Sequence, residues 1–188
     1  MRIISGLFRG KKIFEPKNKL TRPLKDLTKE SIFNVIDHSN KFEINLNQSK
    51  ILDLFSGIGS FGIECLSRGV NKVFFIENYN EVLPILKKNL SMLKNINNYK
   101  IIEQNIYDKN TFINLNEKFD IIFLDPPFKA KELEKIFNNI HNQKILKKNG
   151  IIILHRHKNE NTILPEKFKI IDQKIYGLSK IYFINNLD

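Results

Sequence analysis

The chain has 188 residues, 41% hydrophobic and 27% charged, which describes one globular domain with an appendage and excludes a disordered or fibrous protein. Its net charge of +11 points to a polyanionic partner, and nine Lys/Arg against three acidic residues place +6 of that excess in residues 1–30. The single cysteine, Cys65, excludes an internal disulfide and fits a reducing, cytoplasmic setting; no run is long enough to span a membrane, and the N-terminus lacks a signal-peptide core.

In chain order, Arg2-Ile3-Ile4 and Lys12-Ile13-Phe14 are short strand candidates around the glycine-bounded Gly6-Leu7-Phe8-Arg9-Gly10, which predicts a hairpin. A basic loop with Pro16 and Thr21-Arg22-Pro23 follows. A helix then begins near Asp26 or Thr28, with Ile32, Val35 and Ile36 as its apolar stripe. From Lys50 onward strand and helix patterns alternate, with strands at 50–54, 73–77, 100–104, 119–125 and 151–155 and helices near 60–68, 80–95, 109–115 and 131–141. Cys65 falls in the apolar helix near 60–68 and reads as a buried structural thiol.

The strands are continuous apolar runs, as expected for a parallel sheet covered by helices on both faces. Two more strands, near 168–175 and 179–184, are joined only by Tyr176-Gly177-Leu178 and so predict an antiparallel hairpin at the sheet edge. The expected fold is α/β. It is a Rossmann-like seven-stranded, mostly parallel sheet with a C-terminal antiparallel edge hairpin and a small N-terminal β-hairpin/helix extension. Residues 1–40 form the extension and 41–188 the main domain.

The run Ile51-Leu52-Asp53-Leu54-Phe55-Ser56-Gly57-Ile58-Gly59-Ser60-Phe61-Gly62 contains G-x-G-x-x-G between a strand and a helix. Such glycines let a ligand approach the helix N-terminus closely, in nicotinamide dehydrogenases and in other nucleotide users alike. Asp53 lies inside the strand, where a dinucleotide-binding strand is normally apolar, and is placed to receive the amino group of a methionine-type cofactor. Glu77 closes the next strand and is placed to accept from ribose hydroxyls. Asn105 closes the third and is placed to read an adenine edge.

Asp125-Pro126-Pro127-Phe128 ends the fourth strand. Two prolines fix two φ angles and supply no donors, so nearby carbonyls stay available as acceptors, and Asp125 is kept extended. An acceptor-only carboxylate, a rigid carbonyl and an aromatic face suit an amino group on a planar ring. The acceptor-only carboxylate matches the adjacent N1–H and N2–H donors of guanine better than the donor beside an acceptor that adenine presents. The basic N-terminal residues, with Phe8 and Phe14 among them, are placed to grip phosphates. His155 and His157 would share a strand face, but no Cys or acidic partner lies nearby, and a metal is not expected.

Asp53-x-Phe55-x-Gly57-x-Gly59 with Glu77 resembles the S-adenosylmethionine site of the seven-stranded class I methyltransferases. Asp125-Pro126-Pro127-Phe128 resembles the (Asn/Asp)-Pro-Pro-(Tyr/Phe) motif of those that methylate exocyclic or amide nitrogens. Arg2-Ile3-Ile4-Ser5-Gly6, Arg9-Gly10-Lys11, Arg22-Pro23 and Asp26-x-x-Lys29-Glu30-Ser31-Ile32-Phe33-Asn34 are similar to the bacterial RsmD-type enzymes, and the likeness extends to Tyr176-Gly177.

The resemblance implies S-adenosylmethionine as cofactor, bound by Asp53, Phe55, Gly57, Gly59, Glu77, Asn105 and Asp125. It implies catalysis by Asp125, Pro126, Pro127 and Phe128 on the N2 of a guanosine in 16S ribosomal RNA, with the small subunit as partner. Arg2, Arg9, Lys11, Lys12, Arg22, Lys25 and Lys29 would contact the RNA, and a monomer is expected. His155-Arg156-His157 departs from the pattern, which leads one to expect an acidic residue there; the departure is read as local and as not touching the catalytic residues. Competing readings are an adenine-N6 methyltransferase of DNA or RNA, an enzyme for a protein glutamine amide, a catalytically idle RNA-binding assembly factor and, last, a dehydrogenase.

Overall fold

The computed structural model describes residues 1–16, 24–127 and 132–187; Lys17, Lys19, Arg22, Pro23 and Phe128 lie outside them. Helix α1 (Asp26–His38) precedes an alternation of β1 (Lys50–Leu54), α2 (Ser60–Ser67), β2 (Lys72–Ile76), α3 (Leu83–Ser91), β3 (Tyr99–Ile102), α4 (Lys109–Ile113), β4 (Phe119–Leu124), α5 (Leu133–Asn142) and β5 (Leu146–His157). The hairpin β6 (Phe168–Tyr176) and β7 (Ser179–Asn186) closes the chain. The strands form one sheet in the order β3-β2-β1-β4-β5-β7-β6, with β1 to β5 parallel and β7 antiparallel to both neighbours. The seven-stranded α/β expectation therefore holds, including its edge hairpin.

Strand alternation sorts the core into two layers. Ile51, Val73, Phe75, Ile121, Phe123, Ile151, Ile153, Ile181 and Phe183 face the side covered by α1, α2 and α3. Leu52, Leu54, Phe74, Ile76, Ile122, Leu124, Ile152 and Leu154 face α4 and α5. On the first side Phe33, Phe61 and Phe123 stack from α1 through α2 onto β4, with ring centroids 5.4 and 4.0 Å apart. Such ring pairs add about 0.5–1.5 kcal/mol each beyond the area they bury.

Three elements differ from the sequence expectation. The N-terminal hairpin is a single antiparallel bridge, Arg2 to Lys12, closed by Ile3 N–H to the Lys11 carbonyl and Gly10 N–H to the Ile3 carbonyl. α3 begins at Leu83, because Pro84 is accommodated in a first turn, and its end is followed by Asn95 at φ +64°. β5 starts at Leu146, where a close backbone approach is possible: a Cβ on Gly150 would lie 2.9 Å from the Phe119 carbonyl oxygen.

Residues 1–16 lie along α2 and share its core, with Ile3 and Ile13 buried beside Ile32, Phe33 and Leu66. Glu64, on α2 and fully buried, is the anchor. Its carboxylate accepts from the Ile4 and Ser5 amides at 2.7 and 2.9 Å and from Arg68 Nε at 3.0 Å, with Lys29 Nζ at 3.5 Å. Gly6 admits no side chain here, since a Cβ would fall 1.8 Å from the Ser67 carbonyl oxygen. Further along, Asn89 of α3 accepts from the Phe14 amide and donates to the carbonyls of Phe14 and Ile58, bringing the segment beside the glycine loop.

Candidate active site

The chain runs from β1 through β2 to β3 in one direction and then crosses to β4 on the other side of β1, so a crevice opens between the C-terminal ends of β1 and β4. Open α/β sheets bind ligands at such a reversal. The register pairs Leu54 with Leu124 and Leu124 with Leu154. Continuing the alternation, Asp53, Glu77, Asp125, His155 and Ser179 belong to one face of the sheet, the face packed by α1 to α3.

Asp53 is 1% exposed, and its Oδ2 accepts the Gly62 amide at 3.0 Å. That bond requires glycine in α2: a Cβ on Gly62 would lie 2.3 Å from the Phe75 ring and 3.0 Å from Asp53 Oδ2. Asp53 Oδ1 has no hydrogen-bond partner among the described residues. Burial pushes the Asp53 carboxyl well above the usual carboxylate range; the Gly62 amide draws it back in part, and nearby Asp125 and Glu77 push it further. Three carboxylates around one crevice are what a cationic ligand would relieve.

Between β1 and α2 the backbone is turned back on itself. Phe55, Gly57 and Gly59 all have left-handed φ, at +58°, +54° and +85°. For a bulky residue such as Phe55 this is an uncommon, strained conformation of the kind that gathers at functional sites. Ser56 fixes the turn by donating from its hydroxyl to the Asp53 carbonyl at 2.6 Å. A Cβ on Gly57 would meet nothing nearer than the Phe55 carbonyl oxygen at 3.9 Å, so the loop is open on that side to a ligand. At Gly59 the need is packing, since a Cβ would sit 2.6 Å from Leu86 Cδ1.

Glu77, 8% exposed, accepts the Gly57 amide on Oε2 at 2.7 Å and the Asn78 and Tyr79 amides on Oε1 at 2.9 Å. The carboxylate thus ties the end of β2 to the glycine loop, and Oε2 retains an acceptor position for a hydroxyl. Asn105 is exposed and forms a local turn, its Oδ1 accepting the Tyr107 amide at 2.9 Å, which leaves its NH2 outward. Tyr107, which sequence reading missed, meets Phe55 edge-on at 5.9 Å. An aromatic two residues beyond Asn105 was the available signal.

Asp125 follows β4 and is 21% exposed, and it is followed by a buried Pro126 and an exposed Pro127. Its Oδ1 lies 2.8 Å from His155 Nδ1, and His155 Nε2 lies 2.9 Å from Ser179 Oγ. This corrects the expectation that the His155-Arg156-His157 departure stays clear of the Asp-Pro-Pro-Phe motif, since His155 binds Asp125 directly. The cause is register: β5 runs beside β4, so the residue after Leu154 flanks the residue after Leu124. His157 is engaged elsewhere, its Nδ1 accepting the Asn159 amide, and no metal-holding cluster of His, Cys, Asp or Glu occurs among the described residues.

Of the basic residues, Arg2, Arg9, Lys12 and Lys25 are exposed, while Lys11 directs its ammonium to the Met92 carbonyl at 2.5 Å. Lys29 is a correction. Its side chain is 0% exposed, donates to the Arg2 carbonyl at 2.8 Å and pairs with Glu64, so its ammonium is engaged in holding the segment and is not offered to a phosphate at the surface. Burial pushes its ammonium below the usual range, against the pull of Glu64 and Asp26. Among the described residues no helix is long and apolar enough to cross a membrane.

The sheet order and the crevice geometry are those of the class I S-adenosylmethionine-dependent methyltransferase fold. More narrowly, the chain belongs to the family described as Conserved hypothetical protein 95, whose model matches residues 1–185. It is 35% identical to the ribosomal RNA small subunit methyltransferase D of Haemophilus influenzae, over 95% of this chain and 90% of that protein. The protein of the same name in Buchnera aphidicola subsp. Acyrthosiphon pisum is 32% identical over 96% of this chain and 90% of its own length. Among solved structures, yhhF of Escherichia coli, a candidate methyltransferase, superposes with a TM-score of 0.81 at 27% identity, covering 99% of this chain and 97% of that one.

Proposed function

We propose that the protein transfers a methyl group from S-adenosylmethionine to the exocyclic N2 of a guanosine in small-subunit (16S) ribosomal RNA. One observation carries the reading: Asp125, with Oδ2 unengaged among the described residues, precedes the rigid Pro126-Pro127 pair beside a crevice lined by Asp53 and Glu77. The names of the Haemophilus and Buchnera relatives support ribosomal RNA of the small subunit as the substrate class.

The residues present fit the cofactor. Asp53 offers a buried, partly unpartnered carboxylate to an ammonium group, Gly57 leaves room against the backbone, and Glu77 keeps an acceptor for a ribose hydroxyl. Asn105 would read the adenine edge, with the Phe55 ring, packed against Tyr107, beside it. When bound, S-adenosylmethionine supplies a sulfonium methyl that is already electrophilic.

The chain's own task is to aim the nucleophile. An aromatic amine is a poor nucleophile because its lone pair is delocalised into the ring. Asp125 Oδ2 and the Pro126 carbonyl each accept one N–H, which localises the pair and directs it toward the methyl group. As the nitrogen gains positive charge, the carboxylate stabilises it and is placed to take the released proton. A carboxylate also suits guanine, whose N1–H and N2–H are adjacent donors. Phe128, outside the described residues, supplies the ring on which the extruded base stacks.

Residues 1–40 act as the RNA-positioning extension of the catalytic domain at 41–188. Arg2, Arg9, Lys12 and Lys25 meet phosphates, and Lys11 and Arg22 belong to the same basic set. The test is to incubate the protein with labelled S-adenosylmethionine and unmodified small subunits, digest the RNA and identify nucleosides by mass spectrometry. N2-methylguanosine is expected. N6-methyladenosine would overturn the base, and absence of transfer would overturn the reaction.

A further inference from the structure

We propose that His155 is a positioning residue for Asp125: its Nδ1–H holds Oδ1 so that Oδ2 is presented to the substrate amine, and Ser179 fixes the imidazole in the orientation this requires. The inference rests on the reading of Asp125 as the acceptor of the amine.

Asp125 ends a strand, and nothing in its own backbone sets the torsion of its carboxylate, a broad, roughly two-fold rotor. The neighbouring prolines carry no N–H to bind it. His155 does so from the adjacent strand, with Nδ1 2.8 Å from Oδ1. The carboxylate only accepts, so Nδ1 carries the proton. In the neutral ring Nε2 is then an acceptor, and the Ser179 hydroxyl donates to it across 2.9 Å. The chain of three crosses β4, β5 and β7 on one face of the sheet, and His155 itself is only 9% exposed.

Two features tie this arrangement to the reaction more than to folding. Only one oxygen of Asp125 is engaged by the described residues, which leaves the other fixed in direction toward the substrate. The arrangement also reaches Asp125 from the side away from Asp53 and Glu77, because β5 and β1 flank β4 on opposite sides. His155 therefore orients the carboxylate without occupying the crevice. A group that is held this way keeps its geometry through the reaction, and a misplacement of about 1 Å can cost a hundredfold in rate.

The experiment compares wild type with His155→Asn, His155→Leu and Ser179→Ala in steady-state methylation of small subunits, alongside thermal unfolding and S-adenosylmethionine binding. Asn keeps a donor near the place of Nδ1; Leu keeps apolar bulk and loses the donor. His155→Leu is expected to lower kcat about thirtyfold or more, within the range for a lost orienting contact, with KM for the subunit and cofactor affinity within about twofold. His155→Asn is expected to retain kcat within about fivefold, and Ser179→Ala to fall between the two.

Full activity in His155→Leu would overturn the proposal. So would equal losses in the Asn and Leu variants, or a loss confined to KM. Wild-type transfer with unaffected variants would leave the proposed function standing and remove only the role of His155; absence of wild-type transfer removes both.

Discussion

Two regions of this molecule bury charge, and they treat it in opposite ways. Under the N-terminal segment, Glu64 is surrounded by two backbone amides, Arg68 and Lys29, and Lys29 in turn donates to the Arg2 carbonyl. At the C-terminal edge of the sheet, Asp53 and Asp125 each have one oxygen engaged and one unengaged among the described residues, with Glu77 close enough to repel Asp53. Buried charges with complete partners hold a fold together; buried charges with a spare acceptor are poised for a ligand. The same residue types therefore hold the N-terminal segment under α1 and α2 and leave acceptors open to a ligand above β1 and β4.

The sharpest break of that contrast is Asp125→Ala. Transfer should fall by at least about 10²–10³, the effect of removing a preorganised electrostatic partner, while cofactor affinity changes little in a binding titration and the fold is unaltered. At the other region Glu64→Ala should leave cofactor affinity per folded molecule intact and remove about 3–5 kcal/mol of stability, because Lys29 loses its buried partner and keeps, among the described residues, only the Asp26 carboxylate at 3.9 Å. Denaturant midpoints read this directly.

Asp53→Asn should act in the reverse sense on stability. The folded-state pKa of Asp53 is raised, so its favourable contribution is present below the unfolded value and lost as pH rises through the folded one. Above that point the wild type carries a buried charge that the variant lacks. The variant should then be more stable by about 1–3 kcal/mol, with the difference shrinking toward acidic pH in thermal scans. The smallest effect belongs to the surface. Arg9→Ala with Lys12→Ala should weaken RNA binding a few-fold and flatten its salt dependence by about one unit of slope per lost phosphate contact, without touching stability.

Much of this architecture is written in local patterns. The apolar runs of β1, β2 and β4, the glycines after Phe55 and the prolines after Asp125 carry their own geometry, and the structure places Asp53, Glu77 and Asp125 around one crevice. Pairings between distant segments leave no such trace. Glu64 looks like one polar residue in an apolar helix until the Ile4 and Ser5 amides, about sixty positions away, are found on it. Lys29 reads as one more base in a basic run, because its burial depends on where α1 packs. His155 reads as remote from Asp125, because its contact is created by the register of β5 on β4. The motif residue Phe128 lies outside the described residues, so its part in the site rests on the sequence alone.

The most direct measurement is a calorimetric titration of S-adenosylmethionine into the wild type, Asp53→Asn and the Arg9→Ala/Lys12→Ala double variant. Binding at one site per chain is expected for the wild type and the double variant alike, and an affinity about tenfold weaker or worse for Asp53→Asn, the loss of one charged hydrogen bond. Equal affinity in Asp53→Asn and wild type, or no binding to the wild type, would contradict the account of the crevice as the place where unsatisfied carboxylates receive a cationic ligand.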